Sequence, residues 1–385
     1  LKGRADVYFA PVKSGTNRSL VSRFGIMLEA MSLGIFGKGE TVAVKLTFGE
    51  EGCTTFVHPV FVRRAVDWIK ENGGKPFLTD SCTLYTGERS NGIDHLNLAF
   101  RHGFGYETIG APVVIADGIS SRDFVEVEIG LKHFKKVKYG ANAHHADSLV
   151  CISHFKGHLG TGFGGTFKNI GMGLGSRSAK QMMHAIVKPE FKDKGSCTGC
   201  GRCVEGCPSL AVRIESGKAS FDYARCSGCA ECISLCPQRA LRILWNESSA
   251  SLCEKIVETS YAVLRKKKGK AAFFNFVINV TPDCDCLSWS DSAIVPDVGI
   301  LGSTDPVAVE QASLDMVSAQ PSCPASELGP DVGPGRDKFR ALRPEIDGSR
   351  QIEYAEELGM GVREYSIINV DELKRKLERF ERSAE

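Results

Sequence analysis

"SLVCISHFKGHLGTGFGGTFKNIGMGLG", residues 148–175, begins as seven residues of strand-like, largely apolar chain and runs without a break into a glycine-rich segment. Eight glycines fall between Gly157 and Gly175, interleaved with His154, Lys156, His158 and Lys168. Flexible linkers combine Gly with Ser and do not carry Phe, His, Lys and Met at this density. A β-strand that feeds bare backbone and basic side chains reads as the C-terminal edge of an α/β sheet, where such folds bind ligands.

The flanking sequence agrees. Strands are predicted at 7–12, 41–48, 76–80, 112–118 and 148–154, with amphipathic helices in "SLVSRFGIMLEAMSL" and "PVFVRRAVDWIKENGG", the latter closed by a Gly pair. Beyond residue 244 the pattern resumes with a helix at 250–266, strands at 271–280 and 293–301, and a helix from Asp305 to Val317. After a Pro-, Gly- and Ser-rich loop (319–336), a tail is predicted as helix–strand–helix, with 363–370 as its strand. The expected fold class is α/β, a largely parallel sheet built from two α/β units. The expected divisions are 1–190, 191–243, 244–345 and 346–385.

Residues 191–243 differ from everything around them. They are Cys-rich, Pro-punctuated and too short for a hydrophobic core. Of the fifteen cysteines, eight lie between Cys197 and Cys236. "CTGCGRCVEGCP" supplies Cys197, Cys200, Cys203 and Cys207, and "CSGCAECISLCP" supplies Cys226, Cys229, Cys232 and Cys236. Both runs read C-x2-C-x2-C-x3-C-P, the iron–sulfur spacing in which the fourth Cys serves the other cluster. Cys197, Cys200 and Cys203 then pair with Cys236, and Cys226, Cys229 and Cys232 with Cys207. Zinc pairs would be separated by longer loops, and a disulfide knot does not repeat one spacing twice. Over about 55 residues the segment resembles the two-cluster bacterial ferredoxins, which implies two [4Fe-4S] clusters and one-electron transfer at low potential.

Composition narrows the remaining classes. Hydrophobic content of 42%, charged content of 24% and a net charge of +2 are those of a soluble globular chain, with no call for nucleic acid and no apolar run long enough for a membrane span. The opening "LKGRADVYFAPV" lacks the regions of a secretion signal, and clustered cysteines argue for a reducing compartment, so a cytoplasmic setting is expected.

Within the glycine-rich stretch, "GFGGTFKN" matches neither phosphate-loop pattern, but Lys168 three residues after a Gly pair makes an anion site plausible. Gly162, Gly164, Gly165, Asn169 and His184 are the expected ligand-binding residues, with His158 and Lys168 as the reactive ones. The alternative is a buried crossover in which glycines let two elements pack closely. His158, Lys168 and His184 with this spacing also resemble the site of the nickel-pincer lactate racemases. The resemblance implies a lysine holding the cofactor covalently, a nickel-ligating His184 and an acid/base His158. Glu88 stands where that family carries its other acid/base histidine.

Asp80, Arg89 and Lys45, at or just after strand ends, are expected to touch substrate. "NVTPDCDCLSWSDSAIVPDVG" follows a strong strand and offers Asp283 and Asp285 for proton transfer, while Cys284 and Cys286 suit a soft metal or a dithiol–disulfide shuttle. His144 and His145, the lysines at 135, 136 and 138, and "RKKKGK" (265–270) read as solvated faces that could steer an acidic electron carrier. Taken whole, from "KLTFGE" through "DSCTLYTGERSNG", "GAPVVIADG" and both cysteine runs to "IVPDVGILGSTDPVAV", the chain resembles the iron–sulfur centre proteins of domain of unknown function family 362.

Three functions follow as expectations. The first is an oxidoreductase that passes electrons through two clusters to a small anionic ligand or a partner protein, with a further organic cofactor or metal in the α/β pocket. The second is a non-enzymatic electron carrier or assembly subunit. The third is a racemase or isomerase with accessory clusters.

Overall fold

In the computed structural model, residues 3–13, 18–31, 34–85, 87–185 and 188–373 are described. The centre is a seven-stranded sheet. Four strands come from the first half: β1 (Ala5–Pro11), β2 (Thr41–Lys45), β3 (Lys75–Thr79) and β4 (Ser148–His154). Three follow the Cys-rich segment: β5 (Ala271–Val277), β6 (Gly299–Ser303) and β7 (Tyr365–Asn369). The spatial order is β7-β1-β6-β5-β4-β2-β3, so the strands expected of two α/β units lie in one sheet. All neighbours are parallel except β6, which runs antiparallel to both β1 and β5.

The alternation of side chains along the strands explains why this sheet is covered on both faces. Val150 and Ile152 of β4 and Phe274 and Phe276 of β5 pack with α1 (Leu20–Ala30) and α2 (Pro59–Glu71) on one side. Leu149, Cys151 and Phe273 face the other side, against α3 (Thr166–Leu174), α5 (Ser249–Arg265) and α6 (Pro306–Ser318), while α4 (Arg177–His184) joins this layer next to the Cys-rich lobe. Asp305 caps α6 by accepting from the N–H groups of Val307 and Ala308, both at 2.9 Å, with Pro306 at the first helical position.

One predicted strand is corrected. Residues 112–118 run beside β3, accepting from Leu78 N–H at Pro112 and donating from Val114 N–H to Leu78, but form only the single bridge Leu78–Val113. Pro112 has no N–H to give the ladder, and the chain turns away at Asp117–Gly118. "RKKKGK" is not wholly solvated either, since Lys267 is buried with its ammonium on the carbonyls of His144 and Ala146. The final helix of the predicted tail lies outside the described residues after Leu373.

Residues 189–243 form a small lobe of two short helices and a hairpin, Val212–Glu215 with Lys218–Phe221. Its buried apolar set is slight, with Ala230, Ile233 and Leu241 at its centre. Lys138 ties it to the body through Glu231 at 2.7 Å. Among the described residues, no helix is long and apolar enough to cross a membrane.

Candidate functional site

A cleft of about 600 Å³ opens over the C-terminal ends of β2, β3 and β4. Each strand end or following segment supplies a charge. Lys45 ends β2, and Asp80 and Arg89 follow β3. The hairpin after β4, Lys156–His158 with Gly162–Gly164, brings Lys156 and His158. Helix α3 brings Lys168 and Asn169, α4 brings Lys180 and His184, and the loop after β5 brings Cys284 and Cys286.

The floor is a buried charge network. The Asp80 carboxylate lies 3.0 Å from Lys45 Nζ, 3.5 Å from Arg89 and 3.7 Å from His95. Burial works to raise the Asp80 carboxyl, but the charges of Lys45 and its neighbours outweigh it and hold the group below its ordinary value. Burial has the last word at His95, pushed down to about 3 and therefore neutral. Arg89 also reaches Glu50 at 3.4 Å, Thr47 at 3.0 Å and Tyr85 at 2.7 Å. Asn169 accepts from Lys45 Nζ at 2.6 Å while its amide donates to the Ile152 carbonyl and Ser153 hydroxyl, both at 3.0 Å.

Five cations line the cleft, Lys45, Arg89, Lys156, Lys168 and Lys180, against two carboxylates, Asp80 and Glu247. Lys180 Nζ bonds only to uncharged oxygens, the Ser81 hydroxyl at 2.6 Å and the carbonyls of Cys82 and Gly175 at 2.7 and 2.8 Å. Burial pushes this ammonium down to about 8. Glu50 behind Arg89 and Asp285 behind Lys156 offset part of this charge, and among the described residues Lys168 and Lys180 are the wall cations with no carboxylate in ion-pair contact, which suits an anionic ligand.

His158 is poised as a hydrogen-bond donor. Its Nδ1 accepts from the N–H groups of Gly160 and Thr161, both at 3.1 Å, so the neutral ring carries its proton on Nε2. Burial, then the neighbouring Lys168 charge, hold the ring well below its usual value and hence neutral. His184, also in the cleft wall, is pushed down to about 4 by burial and Lys168, and meets Trp245 edge-on at 4.5 Å.

Lys168 Nζ lies 2.8 Å from Cys284 Sγ. Ligand atoms of His158, Cys284 and Cys286 all fall within 4.8 Å of one another. A cation there would meet the Lys168 ammonium, and His158 could ligate through Nε2 only with its proton moved to Nδ1, where two N–H groups already point. The trio is therefore poorly set for a metal.

The sequence-predicted residues divide. Lys45, Asp80, Arg89, His158, Lys168, Asn169 and His184 share the cleft wall. Asp283 does not, being paired with Arg343 at 2.7 Å. Asp285 points into the body, 2.8 Å from His154 Nδ1 and 3.3 Å from Lys156 Nζ; burial opposes its charge, and these two partners hold the carboxyl far below its ordinary value. It is a fixed anion that positions Lys156, not a proton carrier.

Gly162, Gly164 and Gly165 also lie off the cleft wall, and the close-packing alternative describes them. A side chain at Gly164 would meet the Lys168 stem at 2.7 Å, and one at Gly165 would meet Glu310 at 2.5 Å. Gly162 backs onto Gly348. The N-terminus of α3 is taken by the Glu310 carboxyl group, which accepts from the Thr166 N–H at 2.8 Å. Lys156 stands in the glycine-rich stretch with no role assigned by the sequence, Lys180 escaped sequence reasoning because a lysine on a helix normally faces water, and Trp245 belongs to no motif. Only the amphipathic pattern of α4, whose buried face includes Lys180, carried a signal.

In the lobe, two small voids are each bordered by four cysteines. One meets Cys197, Cys200, Cys203 and Cys236, the other Cys207, Cys226, Cys229 and Cys232. Backbone N–H groups of Ala219, Ala211 and Ala240 point at the sulfurs of Cys197, Cys207 and Cys236 at 3.4, 3.2 and 3.3 Å. Gly199 turns with φ +65°, where a side chain would strike the Gly217 carbonyl at 2.5 Å.

Comparison with known proteins places most of the chain. Residues 42–315 match the domain of unknown function DUF362. The chain belongs to this family. No curated protein matches the DUF362 chain. Among solved structures it is similar to the lactate racemase apoprotein from Thermoanaerobacterium thermosaccharolyticum, at 14% identity and TM-score 0.33, over 71% of this chain and 51% of that one. A protein from Thermotoga maritima is similar at 12% identity and TM-score 0.36, over 88% of this chain and 58% of that one. The DUF362 chain thus spans little more than half the length of either structure.

Proposed function

We propose that this DUF362 protein is an iron–sulfur oxidoreductase: its lobe holds two [4Fe-4S] clusters and its cleft binds a small anionic, carbonyl-bearing ligand that receives the electrons. The observation that carries the reading is the partition of the eight motif cysteines into two voids in the crossed pairing of the two-cluster spacing. The thiolate donor set and the N–H groups aimed at sulfur fit such clusters, which supply one-electron transfer when bound. A second observation links lobe to cleft. Cys236 also borders a cavity between them whose wall shares Leu84, Tyr85 and Trp245 with the cleft.

The chain's own residues divide the work. Lys168 meets the ligand's negative charge, Lys180, whose three N–H groups are already donated, adds its field, and Arg89 and Lys45, held by Asp80 and Asn169, fix its orientation. His158 presents a neutral N–H where a carbonyl oxygen gains charge, a donor that does not depend on protonation at neutral pH. Leu159 and Trp245, both largely exposed, add apolar surface to the cleft wall. The partner expected at the lobe is an electron-carrying protein.

The test is anaerobic. The reduced protein is mixed with small 2-oxo acids, and reoxidation is followed in the cluster absorbance. Ligand-dependent reoxidation that is lost in Lys168→Ala, with reduction of the clusters unchanged, is the expected result. Equal reoxidation in the variant removes the cleft from the function.

A further inference from the structure

The loop after β5 carries two sulfurs that the electron path above does not use. Cys284 and Cys286 sit at the first and third positions of a turn closed by the Leu287 N–H on the Cys284 carbonyl at 3.0 Å. The residue between them, Asp285, is anchored inward on His154 and Lys156. Alternation about that anchor turns both flanking side chains to the cleft, whose wall they share, with their sulfurs within 4.8 Å. Lys168 Nζ touches one sulfur only, Cys284 Sγ at 2.8 Å.

We propose that Cys284 and Cys286 form a redox-active dithiol in the cleft, with Cys284 as the attacking sulfur, Cys286 as the resolving sulfur and a small-molecule disulfide as the two-electron oxidant. The Cys284 thiolate attacks one sulfur of the disulfide, forming a mixed disulfide and expelling one thiolate. Cys286 then attacks Cys284 Sγ, the internal disulfide forms, and the second thiolate leaves with the proton that Cys286 gives up. The pair loses two electrons and one proton, and the small disulfide becomes one thiolate and one thiol. The role assignment follows the asymmetry of the pair. The Cys286 S–H bonded to Cys284 lowers the Cys284 thiol well below its usual value, with help from Lys168 and Lys156 against burial, and the same bond and burial push Cys286 up. The cleft of about 600 Å³ admits a glutathione-sized disulfide and excludes a folded protein. Because both electrons come from the two sulfurs, the dithiol stands or falls apart from the clusters.

The experiment equilibrates the full chain anaerobically in dithiothreitol buffers from fully reduced to fully oxidised. It is then acid-quenched, alkylated after denaturation and read by peptide mass. The expected result is a two-electron transition in which the 284–286 peptide passes from two alkylated sulfurs to none, while Cys151 and Cys253 remain alkylated. With oxidised glutathione, Cys286→Ser is expected to accumulate one glutathione on Cys284, and Cys284→Ser to acquire at least ~10-fold less on Cys286. A 284–286 peptide that stays alkylated at every ratio overturns the proposal, even if the variants fail to fold. So does zinc retained by the pair, or glutathione carried by Cys286 in preference to Cys284.

Discussion

The lobe and the sheet body solve the problem of order differently. The body buries two apolar layers on the faces of seven strands, rich in Phe, Val and Ile. The lobe of residues 189–243 buries only a handful of small side chains yet carries eight of the fifteen cysteines. A segment of that size cannot offset its chain entropy by burial alone and needs covalent or metal staples. The body, for its part, can bear buried charges, and it places them at the strand ends where the cleft lies. On the proposed reading, stability in the lobe comes from clusters the chain must acquire, and in the body from side chains it already has.

The largest expected effect separates the two regions outright. Stripping iron with an oxidant and chelator should raise amide exchange across 191–243 by at least ~100-fold, because metal binding there is folding energy. Strands β4 and β5 should keep their protection. A lobe that stays protected without metal would erase the contrast.

Within the body, Arg89→Met leaves Asp80 and Glu50 with one fewer buried counter-charge. The expected loss is about 3–5 kcal/mol in urea unfolding, as for a broken buried ion pair. A loss below about 1 kcal/mol would mean that the charge network is hydrated and does not form a dry floor.

Glu310 sharpens the comparison by pH. Burial raises its carboxyl to about 7 from an ordinary 4.5, so the folded state favours the protonated form. Its contribution is present below pH 4.5 and is lost as pH rises through about 7. Glu310→Gln should therefore gain roughly 3 kcal/mol on the wild type between pH 4.5 and pH 8, measured by denaturant midpoints. Parallel curves for the two proteins would refute the assignment.

The smallest effect concerns ligand affinity. Lys180 is charged below about pH 8 and neutral above, so affinity for a small carboxylate should fall as pH rises through that value. About five- to tenfold is expected, and Lys180→Gln should flatten the profile in calorimetry. An equally steep profile in the variant would assign the titration to another group.

Much of the fold was legible because β4 and β5 carry largely apolar runs with flanking turn signals, and a strand buried on both faces leaves that trace. The edge segment at 112–118 was overread because its Val and Ile content is strand-like while Pro112 withholds a donor. At the site, Lys45, Asp80, Arg89, His158 and Lys168 were legible from strand-end position. The glycines misled for a physical reason: bare Cα atoms serve close packing and ligand approach alike, and only the neighbours of Gly164 and Gly165 distinguish the two. The roles of Lys156 and Lys180 became visible only once tertiary contacts buried them. Asp283 and Asp285 shared one local signal, and their partners, Arg343 in one case and His154 with Lys156 in the other, are remote in sequence.

The most direct test of the central claim is metal and acid-labile sulfide content of anaerobically purified protein, read together with its reduced-state EPR spectrum. The account predicts roughly eight irons and as many sulfides per chain, with the spectrum of two interacting reduced cubane clusters. Zinc in place of iron, or a folded lobe with neither, would contradict it.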